Sequence, residues 1–151
     1  MNKIITVFIL FATLIFLLSA AYNPANYPEE EILLIINELR REQDLPPLVH
    51  NWEAARVARY KAEDMKTHNY FGHDSPVYGS FFDMLKNFHI HYNTAGENIA
   101  TGAYPTPQTA LDAWLIQAQH RQNIFSKHFN SIGIGYSTDG VVHYWCLIFL
   151  C

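Results

Sequence analysis

Only two cysteines occur in the 151 residues, Cys146 and Cys151. In an extended strand they stand about 16 Å apart, beyond disulfide reach, so they are expected to be unpaired with each other. A chain with so few cysteines relies on its core rather than on the covalent staples of small secreted scaffolds. Charge is scarce too: 16% of residues are Asp, Glu, Lys or Arg, and ten basic residues against fourteen acidic ones leave a formal net charge of −4. No run of Lys or Arg is long enough to track a phosphate backbone, so nucleic acid is not an expected partner. Internal repeats and low-complexity tracts are missing after the first twenty residues. What remains is long enough, and apolar enough, for one compact domain.

Asn2 and Lys3 precede an apolar run from Ile4 to Leu18, followed by the small residues Ser19-Ala20-Ala21. This pattern reads as an export signal over residues 1–21, cleaved after Ala21. The other reading is an uncleaved anchor, because the apolar stretch with its alanines approaches the length of a short spanning helix. No cysteine stands at the cleavage point, so nothing marks a lipoprotein. The expected location is therefore secreted, extracellular or periplasmic, with the membrane touched only through the signal. Cleavage removes Lys3 and makes the mature chain one unit more acidic, and all eight histidines stay in it.

A domain over residues 28–151 follows. Pro28 and Glu29-Glu30-Glu31 form a helix first turn, with the carboxylates facing the positive end of the helix. Ile32, Leu33, Ile35, Ile36 and Leu39 continue at helical spacing until Pro46-Pro47. Asn51 caps a second helix running to about Thr67, with Ala54, Ala58, Ala62 and Met65 as a stripe of small apolar residues suited to close packing. Ser80 and Asp83 make a capping box for a short helix through Phe88. Thr106 and Pro107 open another, with Ala110, Ala113, Trp114 and Gln117 on related faces.

The period then changes. Ile132, Ile134 and Tyr136 alternate with small residues, and Asp139-Gly140 turns the chain into a second strand, Val141–Leu150. Both alternate sets of that strand are mostly apolar, so helices must cover both faces of the sheet. Helices first and a β-hairpin last make an α+β arrangement.

Three segments place titratable side chains beside glycines and aromatics where packing does not demand them: Phe71–Pro76 (FGHDSP), Ala95–Ala100 (AGENIA) and His120–Ile124 (HRQNI). Together with HNYFGHDSP, AGENIATG, Ala113-Trp114, IGIGY and the final HYW, they resemble, in collinear order over roughly residues 30–150, the bacterial SCP-like branch of the CAP superfamily. That superfamily comprises cysteine-rich secretory proteins, antigen 5 and pathogenesis-related proteins. The resemblance implies a three-layer α-β-α sandwich with a concave cleft lined by histidines and glutamates. It carries the first histidine to His73 and the first glutamate to Glu97. The second glutamate position falls on Gln117, and the second histidine on Tyr144 or its neighbour His143. Bacterial relatives carry a histidine at the place of His120. The departures are Gln119, where relatives have glycine, and Cys146-Leu147, where they have a polar pair.

Two imidazoles and a carboxylate are a ligand set that holds Zn2+ or another divalent cation with an open position. Spacing adds nothing, since the three residues are over twenty positions apart. Equally, Glu97 between Gly96 and Asn98 reads as a carboxylate fixing a tight turn, and His73-Asp74-Ser75-Pro76 as a side-chain-capped loop. Two functions stay open. One is a binding module taking a small molecule, lipid, cell-envelope component or protein into the cleft. The other is a metal-assisted hydrolase using His73, Glu97 and His120. No Ser or Cys nucleophile competes, because Cys146 lies inside an apolar strand. Arg121 is expected to cap helix carbonyls, and His89 and His91 to sit at a helix end.

Overall fold

The computed structural model describes residues 28–151; the expected export signal over residues 1–21 lies outside the described residues. Helix α1, Pro28–Glu42, begins at the proline and three glutamates and has Arg40 and Arg41 in its last turn, so its charges oppose the helix dipole at both ends. Strand β1 is two residues, Val49–His50. Helix α2, Trp52–Thr67, is capped by Asn51, whose Oδ1 accepts from the Ala54 amide at 3.0 Å. Helix α3, Phe81–Asn87, opens on the Ser80–Asp83 capping box, and α4, Pro107–Ile116, on a second box between Thr106 and Thr109.

The remaining elements are β2 (Ala95–Gly102), α5 (Ala118–Ile124), β3 (Ser131–Thr138) and β4 (His143–Leu150). The helix expected to carry Gln117 stops at Ile116, because Gln117 turns extended and the chain restarts as α5. The last strand begins at His143 rather than Val141: Asp139 Oδ1 accepts from the Val141 and Val142 amides and holds both in the turn. Gly140 takes the positive φ of 93° there, a conformation glycine adopts without steric cost.

The sheet runs β1-β3-β4-β2. β1 joins β3 in parallel, whereas β2 and β3 flank β4 antiparallel. On one face Trp145, Leu147 and Phe149 of β4 pack with Ile32 and Ile36 of α1, Leu111 and Trp114 of α4, and Ile124 of α5. On the other, Cys146 and Ile148 pack with Val57, Ala58 and Met65 of α2 and with Met84 and Leu85 of α3. The doubly apolar strand thus lies in the middle of an α-β-α sandwich, as its pattern predicts.

The alanine stripe explains how closely α2 lies on the sheet. A Cβ added at Gly133 would stand 2.1 Å from the carbonyl carbon of Ala54, and one at Gly135 2.1 Å from that of Ala58. Helix backbone rests on strand backbone there, with alanine on one side and glycine on the other.

The opposite layer is tied by a buried arginine. Arg40 is fully buried; its Nε donates to the Pro46 carbonyl at 2.9 Å, and Nη1 donates to the carbonyls of Ile124 at 2.7 Å and Ser126 at 2.9 Å. One guanidinium so joins the ends of α1 and α5, and burial lowers its pKa from the usual value. Both cysteines are free, Cys146 buried and Cys151 exposed. Among the described residues no helix is long and apolar enough to cross a membrane.

Candidate functional site

β2 is the outer strand of the sheet on the side away from β1. Its residues alternate faces, so Glu97 points toward the α2–α3 layer and Asn98 toward α5. The AGENIA segment is therefore a strand, not the tight turn expected of it. Gly96 hides the alternation, and the fit there is tight: a Cβ would meet Phe129 Cζ at 3.0 Å and Asn123 Oδ1 at 3.1 Å.

The loop leaving α2 brings His73 over Glu97. His73 Nδ1 lies 2.6 Å from Glu97 Oε1, with the imidazole side chain 53% exposed and the carboxylate side chain 3% exposed. On its other oxygen Glu97 accepts a thiol hydrogen bond from Cys146 at 3.6 Å. The Glu97 hydrogen bond raises the His73 pKa above 6.5, against a smaller opposing effect of burial. Burial and the neighbouring carboxylate push the Cys146 thiol well up, so it stays protonated.

Beneath the loop is a buried polar set that the sequence did not reveal. Lys61 donates to the His73 carbonyl at 2.8 Å and to the Tyr70 hydroxyl at 3.1 Å. Asp64 Oδ2 accepts from Tyr70 Oη–H and, at 2.6 Å, from Ser75 Oγ. Ser75 Oγ in turn accepts from the Val77 and Tyr78 amides. Lys61, Asp64 and Ser75 are all buried. Side chains of α2 thus fix the backbone that carries His73. His68 belongs to this network and not to the site, its Nδ1 lying 2.8 Å from Asp64 Oδ1.

On the α5 side, Asn98 is fully buried; it donates to the His120 carbonyl at 3.0 Å and accepts from Asn123 Nδ2 at 2.8 Å. This amide pair seats the HRQNI segment against β2. Arg121 caps as expected, donating to the Leu115 carbonyl at 2.8 Å. A hollow of ≈ 330 Å³ opens at this edge, with His73, Glu97, Phe82, Ser80, Gln119 and Asn123 among its lining residues.

The six candidate residues separate in space. His73 and Glu97 meet and line the hollow. His120 is half-buried beside them, with Nδ1 buried and lacking a partner among the described residues. Burial lowers its pKa, and the charge on His73 lowers it further. Gln117 is exposed at the α4–α5 junction and does not line the hollow. Tyr144 is buried in the core beneath α2. His143 lies on the other face of the sheet, stacked on Tyr136 with Nδ1 2.7 Å from its hydroxyl. Asn123, Ser80 and Phe82 line the hollow instead, and the buried Asn98 holds Asn123 in place. The capping residue Ser80 and the asparagines of the two motifs were the signals available for them.

Glu97 is engaged with the His73 Nδ1 and with a thiol, and among the described residues no three His, Cys, Asp or Glu side chains group to hold an ion.

The model of the cysteine-rich secretory protein family, CAP, matches residues 33–151. Over 114 residues the chain is 45% identical to YkwD of Bacillus subtilis, covering 76% of this chain and 44% of that protein. It is 35% identical over 121 residues to the membrane protein YlbC of the same organism, covering 78% of this chain and 35% of that one. The chain thus spans less than half the length of these relatives. An extracellular SCP-domain protein of Bacillus anthracis superposes with a TM-score of 0.76 at 33% identity, over 83% of this chain and 40% of that one. An outer surface protein of Borrelia burgdorferi superposes with a TM-score of 0.74 at 18% identity, over 85% of this chain and 95% of its own, a likeness of fold. On the family match, the sequence identities and the shared sandwich, the chain belongs to the CAP family of cysteine-rich secretory proteins.

Proposed function

We propose that this domain is exported and works as a binding module, taking a polar small molecule, an envelope component or a protein segment into the hollow at the β2 edge. The observation that carries the reading is the His73–Glu97 pair: a half-exposed imidazole held in one orientation by a buried carboxylate. Such a group offers a ligand one aimed nitrogen, Nε2, without a large entropy cost on binding. Phe82, 57% exposed, adds an apolar wall, while Ser80, Gln119 and Asn123 add hydrogen-bonding groups. Export is supported by the apolar N-terminal run and by the extracellular SCP-domain protein of Bacillus anthracis that the chain resembles.

Hydrolysis has less behind it. Cys146 is buried and held as a thiol, and Glu97 serves His73 rather than an open metal position. The test is a titration of isotope-labelled protein with fractionated envelope extract. Ligand binding is expected to move resonances of His73, Gly96, Phe82 and Gln119 and to be lost in His73→Ala. Shifts that persist in that variant, or that map elsewhere, would remove the site. Zinc-dependent stabilisation in the parent but not in His73→Ala would restore the metal reading.

A further inference from the structure

At the opposite edge of the sheet β1 pairs only with Ser131 and Ile132, leaving the rest of β3 without a strand neighbour on that side among the described residues. A second hollow, of ≈ 440 Å³, lies there between the start of α1 and the start of α2. It shares no residue with the His73–Glu97 hollow, which sits beyond β4 and β2.

Its walls are mainly apolar: Leu33 of α1, Tyr136 of β3 and the indole of Trp52. Trp52 is 72% exposed, whereas Trp114 and Trp145 are buried. An indole left in water is held ready, because the His50 ring meets it edge-on with centroids 4.3 Å apart. The polar groups then decide what fits. Arg59 and Glu29 are spent on each other, with Arg59 Nε 2.9 Å from Glu29 Oε1, and that same carboxylate oxygen accepts from the Tyr136 amide at 3.2 Å. Glu30, also in the wall, makes no hydrogen bond or ion pair among the described residues. A carboxylate with no partner among the described residues, beside open aromatic faces, attracts positive charge and repels negative charge.

We infer that this second hollow binds an organic cation, a protonated amine or guanidinium carried on an apolar body, with the body against Trp52, Leu33 and Tyr136 and the charge toward Glu30. The His50 imidazole does not oppose it. Burial lowers its pKa, so the ring stays neutral at pH 7.

Three probes with one skeleton test the assignment: phenylbutylamine, phenylbutanol and phenylbutyrate, which are cationic, neutral and anionic at pH 7. Trp52 is the one strongly exposed tryptophan among the described residues, so covering it moves its emission to the blue, and calorimetry gives the affinity independently. The amine is expected to saturate a blue shift and to bind about threefold more tightly than the alcohol, the size of an exposed ion pair with Glu30. The carboxylate should bind weakest. Glu30→Gln, an exposed change, should bring amine and alcohol to equal affinity while melting like the parent. Trp52→Ala should lose amine binding by calorimetry, and His73→Ala should bind the amine as the parent does. Equal affinity for all three probes, parental discrimination in Glu30→Gln, or no saturable response to the amine would overturn the proposal.

Discussion

His73 Nδ1 and Glu97 Oε1 are 2.6 Å apart across the boundary between water and core, one side chain half-exposed and the other 3% exposed. The carboxylate orients the ring and favours its charged form, so the pair couples the site to pH. Because the folded-state pKa of His73 is raised above 6.5, its contribution to stability is complete below 6.5 and fades as the pH rises through the folded value. The His73 imidazole is expected to titrate above 6.5 by NMR in the parent and to fall toward or below it in Glu97→Gln. An unchanged His73 titration in that variant would show that the carboxylate does not govern the ring.

Glu97→Gln should also destabilise the fold by about 1–3 kcal/mol, since a buried oxygen that accepts from the Cys146 thiol becomes an amide with no acceptor facing it. Urea unfolding at pH 7 measures this directly. A variant as stable as the parent would mean that the pair does not brace the edge of the sheet.

Gly135→Ala should cost about 3 kcal/mol or more, because the new methyl group meets the backbone of α2 and not a movable side chain. Gly140→Ala is the control. Nothing lies within 4 Å of its Cβ position, so only the strain of its φ of 93° remains, about 1 kcal/mol. Equal midpoints for the two variants in thermal melting would refute the close helix–strand contact.

Arg40→Met should lower stability by about 3 kcal/mol, since three carbonyls lose their donor, that of Ile124 in a buried place. Arg40→Lys should recover little of the loss, as one ammonium cannot reproduce the two-sided geometry of the guanidinium. Full recovery by lysine would make the burial of charge, and not the fork, the important property.

Native protein should react with a thiol reagent at Cys151 alone, and at both cysteines once unfolded, because Cys146 is buried and its thiol pKa raised. Rapid labelling of Cys146 under native conditions would mean that the core opens easily near Glu97.

The helix starts were legible because each carries its own local chemistry: Pro28 with three glutamates, Asn51, Ser80 with Asp83, Thr106 with Pro107. The two-sided covering of β4 could be read from its alternate residues. β2 could not, because Glu97 and Asn98 are polar groups inside a sheet and their partners, His73, Cys146 and Asn123, are distant in sequence. Resemblance brought His73 and Glu97 to the same hollow. It did not bring Gln117, Tyr144 or His143 there: Gln117 is exposed where α4 ends, Tyr144 is buried against α2, and His143, one residue away in the strand, faces the other side of the sheet. The Lys61–Asp64 network was illegible for another reason: on a helix two charged residues three apart read as a solvated face, and only the loop folded over them shows otherwise.

The sheet order has a consequence for biogenesis. The two edge strands are made first, and each must wait for a partner that is synthesised last, so no part of the sheet can assemble until the hairpin has emerged. A nascent chain lacking residues 131–150 has helices with nowhere to bury their apolar sides. Such a polypeptide cannot close its sheet strand by strand: both edges dock in one late step, when β3 and β4 are complete.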